Sequence, residues 1–420
     1  MARRGFASIV IAVAIALLGT GTAQAASYAP VNQPGPALDV PAATLAAALA
    51  CPTAPATARS DVVLMIPGTT TDPGQAFSWN YEVAFKALGI PYCTITVPDH
   101  TDGDIQVAGE YVVNAVRTIH AQSGRPVVLF GWSQGASTLP RWALRFWPDI
   151  RPMVASLVGL APLNNIGTVD ANALCDTGEC VPAIWQQRVG SQLLGAVNSG
   201  QQTFPGIAYT VIYTRADDVV APDLTGDLSV LPAGPNVTNV AIQDLCPLDT
   251  SDHLLLVADP AAYAVAIEAI EHPGQPANLA LVGTPSSCLP GTMPYVTPTA
   301  LASGELGIDA PLVSELTTGE VAQEPPLDCY VFAVCAATPT APVPTSTPAT
   351  APACTSRVTV RVPRGVRDGR VTLDGRPVEL RRGAARLDLR GLRGVAVVRI
   401  SGRGARGRRV GQTRRYHPCA

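Results

Sequence analysis

The sequence predicts an α/β fold, a largely parallel sheet with helices on both faces, followed by a small C-terminal β domain. Three observations carry this. Wholly apolar runs of strand length alternate with segments of helical period from residue 61 to residue 213, the pattern of strands buried on both faces. One of these runs closes on Gly131-Trp-Ser-Gln-Gly135, a Gly-x-Ser-x-Gly that sets a serine on a tight strand-to-helix turn. After a Pro- and Thr-rich tract the composition changes abruptly, from acidic to Arg-rich.

Residues 1–25 read as a signal peptide: Arg3-Arg4 precede an apolar run from Phe6 to Leu18, and Ala23-Gln24-Ala25 is a small-residue cleavage site. Arg3-Arg4-Gly5-Phe6 also fits twin-arginine export, and the flanking residues do not separate the two routes. The mature chain is expected to begin at Ala26 and to be secreted, with no later stretch long and apolar enough to span a membrane.

The α/β domain is assigned to residues 26–335. Asp61 to Ile66 is a strand that runs into Pro67-Gly-Thr-Thr-Thr71, a turn rich in backbone donors and hydroxyls. A helical segment from Tyr81 to Leu88 and a strand from Tyr92 to Val97 follow. Ile105 to His120 places Val107, Tyr111, Val112, Ala115, Val116 and Ile119 at helical spacing. Pro126 to Phe130 is the strand before the serine turn and Ala136 to Trp147 the helix after it, where Pro140 removes a backbone donor and should produce a kink. Met153 to Leu160 and Ile207 to Tyr213 are further strands, the second ending just before Asp217-Asp218.

Residues 336–353 are Pro, Thr and Ala in the main and read as an extended linker. From Cys354 to Ala420 there are 18 arginines, no lysine and four acids, a net charge of about +14, whereas residues 26–353 carry about −19. Val358 to Val362, Val371 to Asp374, Val378 to Leu380 and Val395 to Ile400 are short strands separated by turn residues such as Asp374-Gly375, so residues 354–420 form a small β domain. Gly402-Arg-Gly404-Ala-Arg-Gly407 has the spacing of a dinucleotide turn, but only 13 residues follow it, too few for a strand-helix-strand unit, and a nucleotide site is excluded.

Ten cysteines in an exported chain point to disulfides. The absence of Cys-x-x-Cys and of His-Glu-x-x-His argues against zinc, and no metal or other cofactor is expected. Cys51 with Cys93, and Cys246 with Cys288, would each close a loop of about 40 residues. Cys175 with Cys180, and Cys329 with Cys335, are near enough to be local staples, and Cys354 and Cys419 stand at the two ends of the final segment. Spacing leaves the connectivity open.

A serine hydroxyl is a poor nucleophile at neutral pH unless a base takes its proton and an acid holds that base in the right tautomer. With Ser133 as nucleophile, the fold orders its partners as serine, acid, histidine. His100 and His120 precede the serine, His272 follows a helical segment and His417 lies in the basic tail, which leaves His253 in the polar loop Asp249-Thr-Ser-Asp-His253. For the acid, the carboxyl end of a parallel strand is the place to look. Asp217 and its neighbour Asp218 stand there, with Asp223, Asp227, Asp249 and Asp252 as rivals. The amide of Gln134 and the loop Pro67-Gly68-Thr69 are the expected donors to a tetrahedral intermediate.

Ile66-Pro-Gly-Thr69, Gly131-Trp-Ser-Gln-Gly135, Ala161-Pro162, Trp185-Gln-Gln187, Tyr213-x-x-x-Asp217 and the stretch from Cys246 to His253 together resemble the family of Candida antarctica lipase B, α/β-hydrolases that cleave carboxylic esters. The resemblance covers roughly residues 45–290 and weakens from there to Cys335. It implies Ser133 as nucleophile, Asp217 rather than Asp218 as acid, His253 as base, and Thr69 with Gln134 as the oxyanion hole, the threonine giving both its amide and its hydroxyl. It also implies that Trp132 and Gln187 line the substrate pocket, that Val219 faces it, and that the disulfides include Cys51 with Cys93 and Cys246 with Cys288. The chain departs from the family at Leu163, where the family has an aspartate after Ala-Pro, which removes a polar group from the acyl side. It departs again at residues 299–324, where an alanine-rich helix is replaced by one carrying Glu305, Asp309, Glu315, Glu320 and Glu324.

These readings point to a secreted, monomeric serine ester hydrolase, a lipase or esterase acting on an ester or lipid substrate. A cell-envelope acyltransferase would use the same triad, and a non-catalytic binding protein would keep the fold without needing the full set of serine, acid, histidine and threonine. The Arg-rich domain is expected to meet an anionic envelope polymer or lipid surface, and no specific nucleic acid partner is expected of an exported protein.

Overall fold

The computed structural model describes residues 27–176, 178–221, 223–282, 288, 291–334, 357–361, 367–373, 376–381, 383–390, 396–403 and 409–416. The signal segment, the linker, Cys335, Cys354, Cys419, Asp374-Gly375 and Gly404 to Gly407 lie outside these residues. The chain divides into two compact units, Met1–Ala336 and Ala337–Ala420.

In the first unit the strands are β1 (Leu49–Ala50), β2 (Val62–Ile66), β3 (Tyr92–Ile95), β4 (Val127–Trp132), β5 (Val154–Leu160), β6 (Ala208–Tyr213) and β7 (Val237–Ala241). They form one sheet in the order β1-β3-β2-β4-β5-β6-β7. Every pairing is parallel except that of β1 with β3. Strands β2 to β6 are buried from end to end, which explains their unbroken apolar sequences, since parallel neighbours are joined by crossover helices that cover both faces.

Alternation along each strand divides the interior into two cores. Val62, Leu64 and Ile66 of β2 and Val127 and Leu129 of β4 share one core with residues of the helices Ile105–Ser123 and Thr138–Phe146. Val63, Met65, Val128 and Phe130 share the other with residues of the helices Tyr81–Leu88 and Pro260–Glu271. The edge strands β1 and β7 escape a sequence reading because β1 is two residues long and β7, Val-Thr-Asn-Val-Ala, is only partly buried.

The segment after the serine turn differs from the expected helix. A 3₁₀ turn, Ser133–Ala136, gives way at Ser137 (φ −142°, ψ −94°) to an α-helix that begins at Thr138. Pro140 therefore lies in the first helical turn, where an amide has no intrahelical partner to lose, and the break in direction sits ahead of it at Ser137.

The second unit contains β8 (Arg357–Arg361), β9 (Arg367–Leu373), β10 (Arg376–Val378), β11 (Ala384–Asp388), β12 (Ala396–Arg403) and β13 (Arg409–Tyr416). They form an antiparallel sheet β10-β9-β12-β13 and a pair β11-β8 around a core that includes Val360, Val371, Leu387, Val398 and Ile400.

Three disulfides join Cys51 to Cys93, Cys175 to Cys180 and Cys246 to Cys288, and Cys329 is also disulfide-bonded. The first fastens the segment after β1 to β3, near the open edge of the sheet, across a sequence separation of 42 residues. In the chain-entropy treatment a loop of that size contributes about 4 kcal/mol, and the five-residue separation of Cys175 and Cys180 about 2 kcal/mol. Replacing Cys51 and Cys93 together by serine should therefore lower the unfolding free energy in urea by about twice as much as replacing Cys175 and Cys180. Equal losses would mean that this edge of the sheet unfolds independently of the rest.

Candidate active site

The carboxyl ends of the parallel strands converge on a cavity of about 630 Å³. At its floor β4 runs into Ser133, whose φ of +57° is unfavourable for a residue with a side chain and holds it on a sharp turn. The two glycines of the motif make the turn sterically feasible. A Cβ on Gly131 would lie 2.0 Å from the Gly135 carbonyl oxygen, and one on Gly135 would lie 2.1 Å from the Ile66 carbonyl oxygen at the end of β2. Behind the turn, the Ser137 hydroxyl donates to the Ser133 carbonyl (3.0 Å) and accepts from the Leu163 amide (3.1 Å), fastening the turn to the loop after β5.

His253 and Asp217 meet beside the same cavity, 36 residues apart in sequence and both nearly inaccessible to solvent. His253 Nδ1 lies 3.0 and 2.9 Å from the two Asp217 carboxylate oxygens. Asp217 Oδ1 also accepts from the amides of Val219 (3.0 Å) and Val220 (2.7 Å). Burial works to raise the Asp217 carboxyl, but the charge and hydrogen bond of His253 and the two amides outweigh it and hold the group below its ordinary range. Burial works in turn to depress His253, and the charge and hydrogen bond of Asp217, helped by Asp218 and Asp252, raise it above 6.5. An ionised Asp217 can only accept, so Nδ1 carries the proton and Nε2 is the basic nitrogen. The loop bearing His253 is anchored by Trp132, whose indole N–H donates to the His253 carbonyl (3.0 Å) and whose ring centroid is 5.3 Å from the imidazole.

Opposite this pair lies a polar cluster. The Thr69 hydroxyl donates to Gln134 Oε1 (3.1 Å) and accepts from Gln187 Nε2 (2.9 Å), while Gln134 Nε2 donates to the Thr101 carbonyl (3.1 Å). Gln187 Nε2 also lies 3.2 Å from Gln134 Oε1 and 3.1 Å from the Ala183 carbonyl. The rest of the cavity wall is mainly apolar, with Leu163, Ala171, Leu174, Ile184, Val219 and Ile308 among its residues.

Of the residues singled out from sequence, Thr69, Trp132, Ser133, Leu163, Gln187, Val219 and His253 all line this cavity, as does Asp218, while Asp217 stands behind His253 and Gln134 behind Thr69. Asp218 approaches the His253 backbone amide at 3.4 Å, not the ring. Asp223 and Asp227 are engaged elsewhere, accepting from the Leu228 amide and the Thr225 hydroxyl. Sequence reasoning passed over Asp102, which accepts from the Thr70 amide (2.8 Å), and gave no role of its own to Gln186 of Trp185-Gln-Gln187, which accepts from the Ile105 amide and donates to Asp104. These are loop and helix-end residues whose partners lie 32 or more residues away, so no spacing signals them.

No protein-family model matches the chain. Lipase B of Pseudozyma antarctica is 33% identical to it over 239 residues, which is 56% of this chain and 69% of that one. The crystal structure of Aspergillus fumigatus lipase B superposes with a TM-score of 0.66 at 24% identity, covering 72% of this chain and 74% of that one, so the two share a fold.

The pairing of His253 with Asp217 has a measurable sign. Because the imidazole is raised, its neutral, basic form is reached only above the ordinary histidine range and is lost as pH falls through the raised value. Because Asp217 is depressed, the stability it contributes is present above its unfolded value and is lost as pH falls through the folded one. By NMR titration, Asp217→Asn should move the His253 midpoint down, and Asp218→Asn should move it less. A midpoint unchanged by Asp217→Asn would show that the buried pair does not form.

Proposed function

This chain belongs to the lipase B family and is a carboxylic ester hydrolase, and from that premise we propose that Ser133, His253 and Asp217 act as a catalytic triad through an acyl-enzyme. His253 Nε2 takes the Ser133 proton as the hydroxyl oxygen attacks the ester carbonyl, and the ionised Asp217 stabilises the imidazolium that results. The oxyanion is met by the amides of Gln134 and Thr69 and by the Thr69 hydroxyl. In the resting site that hydroxyl donates to Gln134 Oε1, so its bond to the oxyanion is gained only as charge develops, which favours the transition state over the bound ester. His253 then protonates the departing alcohol, and a water deprotonated by the same nitrogen releases the acid.

The observation that carries this reading is the joint position of Ser133 and His253 on one cavity, the first on a strained turn and the second bonded to a buried carboxylate. The cavity's mainly apolar wall supports an apolar acyl group, and Leu163 adds an apolar side chain to it where the resemblance implies an aspartate in the family. The disulfides support folding in an oxidising compartment, in keeping with export by the N-terminal segment. Among the described residues no helix is long and apolar enough to cross a membrane.

The Arg-rich unit carries the enzyme to anionic surfaces, phosphate-bearing lipid or envelope polymer. On its β9–β12 pair, Arg370 stands opposite Ser401 and Arg399 opposite Thr372, with Arg403 two residues along, all three exposed. The ion pairs of this unit among the described residues engage Arg357, Arg381 and Arg390 instead. Like charges gathered on one sheet face repel one another and are relieved by an anionic partner, an attraction that salt weakens.

Ser133→Ala should lower kcat on p-nitrophenyl esters by a factor on the order of 10⁵ to 10⁶, and a serine-directed phosphonate should label Ser133 alone. Labelling of a different serine, with the alanine variant still active, would move the nucleophile elsewhere. Truncation after residue 340 should leave kcat on a small soluble ester nearly unchanged while adsorption to phosphatidylglycerol vesicles or cell-wall fragments drops at low salt. Undiminished adsorption would remove the targeting role, and loss of activity in a folded truncated enzyme would make the unit part of the catalytic domain.

A further inference from the structure

One buried carboxyl that the triad does not use stands behind the proposed oxyanion hole. Asp102 is 2% exposed, at the end of the loop between β3 and the helix Ile105–Ser123. Its Oδ1 accepts from the Thr70 amide at 2.8 Å, and its Oδ2, buried as well, has no hydrogen-bond partner among the described residues. The loop that delivers it is strained. Asp99, His100 and Thr101 are three successive non-glycine residues at positive φ (53°, 51° and 67°), and Thr70, which Asp102 holds, is a fourth at 64°. Such conformations persist only where surrounding bonds over-determine them, and they gather at sites where geometry matters.

Here the surrounding bonds lead to both oxyanion donors. Asp102 holds the amide next to Thr69, and the Thr101 carbonyl accepts from the side chain of Gln134 (3.1 Å). The Thr101 hydroxyl donates to the Thr71 carbonyl (3.0 Å), and the Asp102 carbonyl accepts from the Ala183 amide (3.0 Å) on the segment that carries Gln187. The loop thus contacts every element that shapes the hole. We propose that Asp102 is a positioning residue for the oxyanion hole, locking the Thr69-Thr70 turn through the Thr70 amide. The proposal rests on the assignment of Thr69 and Gln134 as oxyanion donors.

The neutral form follows from the surroundings. Burial pushes the carboxyl up to about 7, the Thr70 amide works against this, and the charges nearest it, Glu315 at the end of the helix Pro298–Glu315 and Asp99 on its own loop, are both acidic. His100, the cation-forming side chain on the loop, faces Glu315 Oε1 at 3.8 Å and Gln75 at 3.1 Å. A carboxylate at this position would oppose the negative charge that the hole must stabilise, whereas the neutral acid keeps the same acceptor for Thr70 without that charge. Since the folded value lies above the unfolded one, the neutral form is complete at low pH and is lost as pH rises through about 7.

The test compares the full-length enzyme with Asp102→Ala and Asp102→Asn, on a small soluble ester and with a serine-directed phosphonate. Asp102→Ala should lower kcat by roughly 10- to 100-fold with KM changed by less than about twofold, the split expected when only the transition state loses support. Asp102→Asn keeps the acceptor and cannot ionise, so it should restore kcat to within about threefold of the wild type at pH 6. Its activity relative to wild type should then rise by at least about threefold between pH 6 and pH 9, a ratio from which the titration of His253 cancels. Wild-type kcat in Asp102→Ala would overturn the proposal, and so would a flat Asn-to-wild-type ratio. If Asp102→Ala does not fold, the ratio alone decides. Should the phosphonate fail to label Ser133 in the wild type, the triad itself falls and the proposal with it, an outcome the kinetic comparison cannot imitate.

Discussion

The site depends on one steric contact, the approach of Gly135 to the carbonyl end of β2. Strands β2 and β4 pair in parallel with Ile66 opposite Gly131, so the chain leaving β4 must turn back across the top of β2. There is room for a hydrogen at Gly135 and none for a methyl, with the Ile66 and Pro67 carbonyl oxygens 2.1 and 2.4 Å from where a Cβ would stand. That closeness does two things at once. It forces Ser133 into a conformation costing on the order of 1–3 kcal/mol, which the fully buried β4 holds in place, and it brings the loop after β2 against the serine, a Cβ on Gly68 lying 3.0 Å from that of Ser133. Nucleophile and oxyanion loop come from different strands, and one contact sets their separation.

The parts of this arrangement that sequence made legible are those whose physics is local. Strands buried on both faces must be apolar at every position, so β2, β4, β5 and β6 stand out as runs, and a serine on a turn this tight needs glycine two residues to either side. His253 emerged because the chain has only five histidines and the fold orders its triad, while Asp217 could be told from Asp218 only by family resemblance. The structure supplies the physical distinction: Asp217 receives the imidazole and two amides, whereas Asp218 reaches only a backbone N–H at 3.4 Å. In the Arg-rich unit β11 and β13 were missed: β11 alternates buried Ala385 and Leu387 with exposed Arg386 and Asp388 but over only five residues, and Arg-Val-Gly-Gln-Thr-Arg-Arg-Tyr lacks a clean two-residue apolar alternation. Asp102 and Gln186 were illegible for a different reason. Each matters through bonds to residues far along the chain, and a polar residue in a loop otherwise resembles any other.

Two buried carboxyls flank the reacting centre, and their surroundings push their titration in opposite directions. Asp217 accepts from two amides and a raised imidazole, which together overcome its burial and keep it ionised. Asp102 accepts from a single amide, leaves one oxygen without a partner among the described residues, and has acids as its nearest charges, so burial prevails up to about pH 7. The proposed reaction needs this division. Transfer of the serine proton places a positive charge on His253 and a negative charge on the former carbonyl oxygen, and a site of low dielectric magnifies whatever stands behind each of them. A carboxylate behind the imidazolium lowers the barrier; one behind the oxyanion would raise it. A carboxyl thus serves each end of one dipole, held low at one and pushed up at the other, and what separates them is first the imidazole beside Asp217 and then the second amide that Asp217 receives.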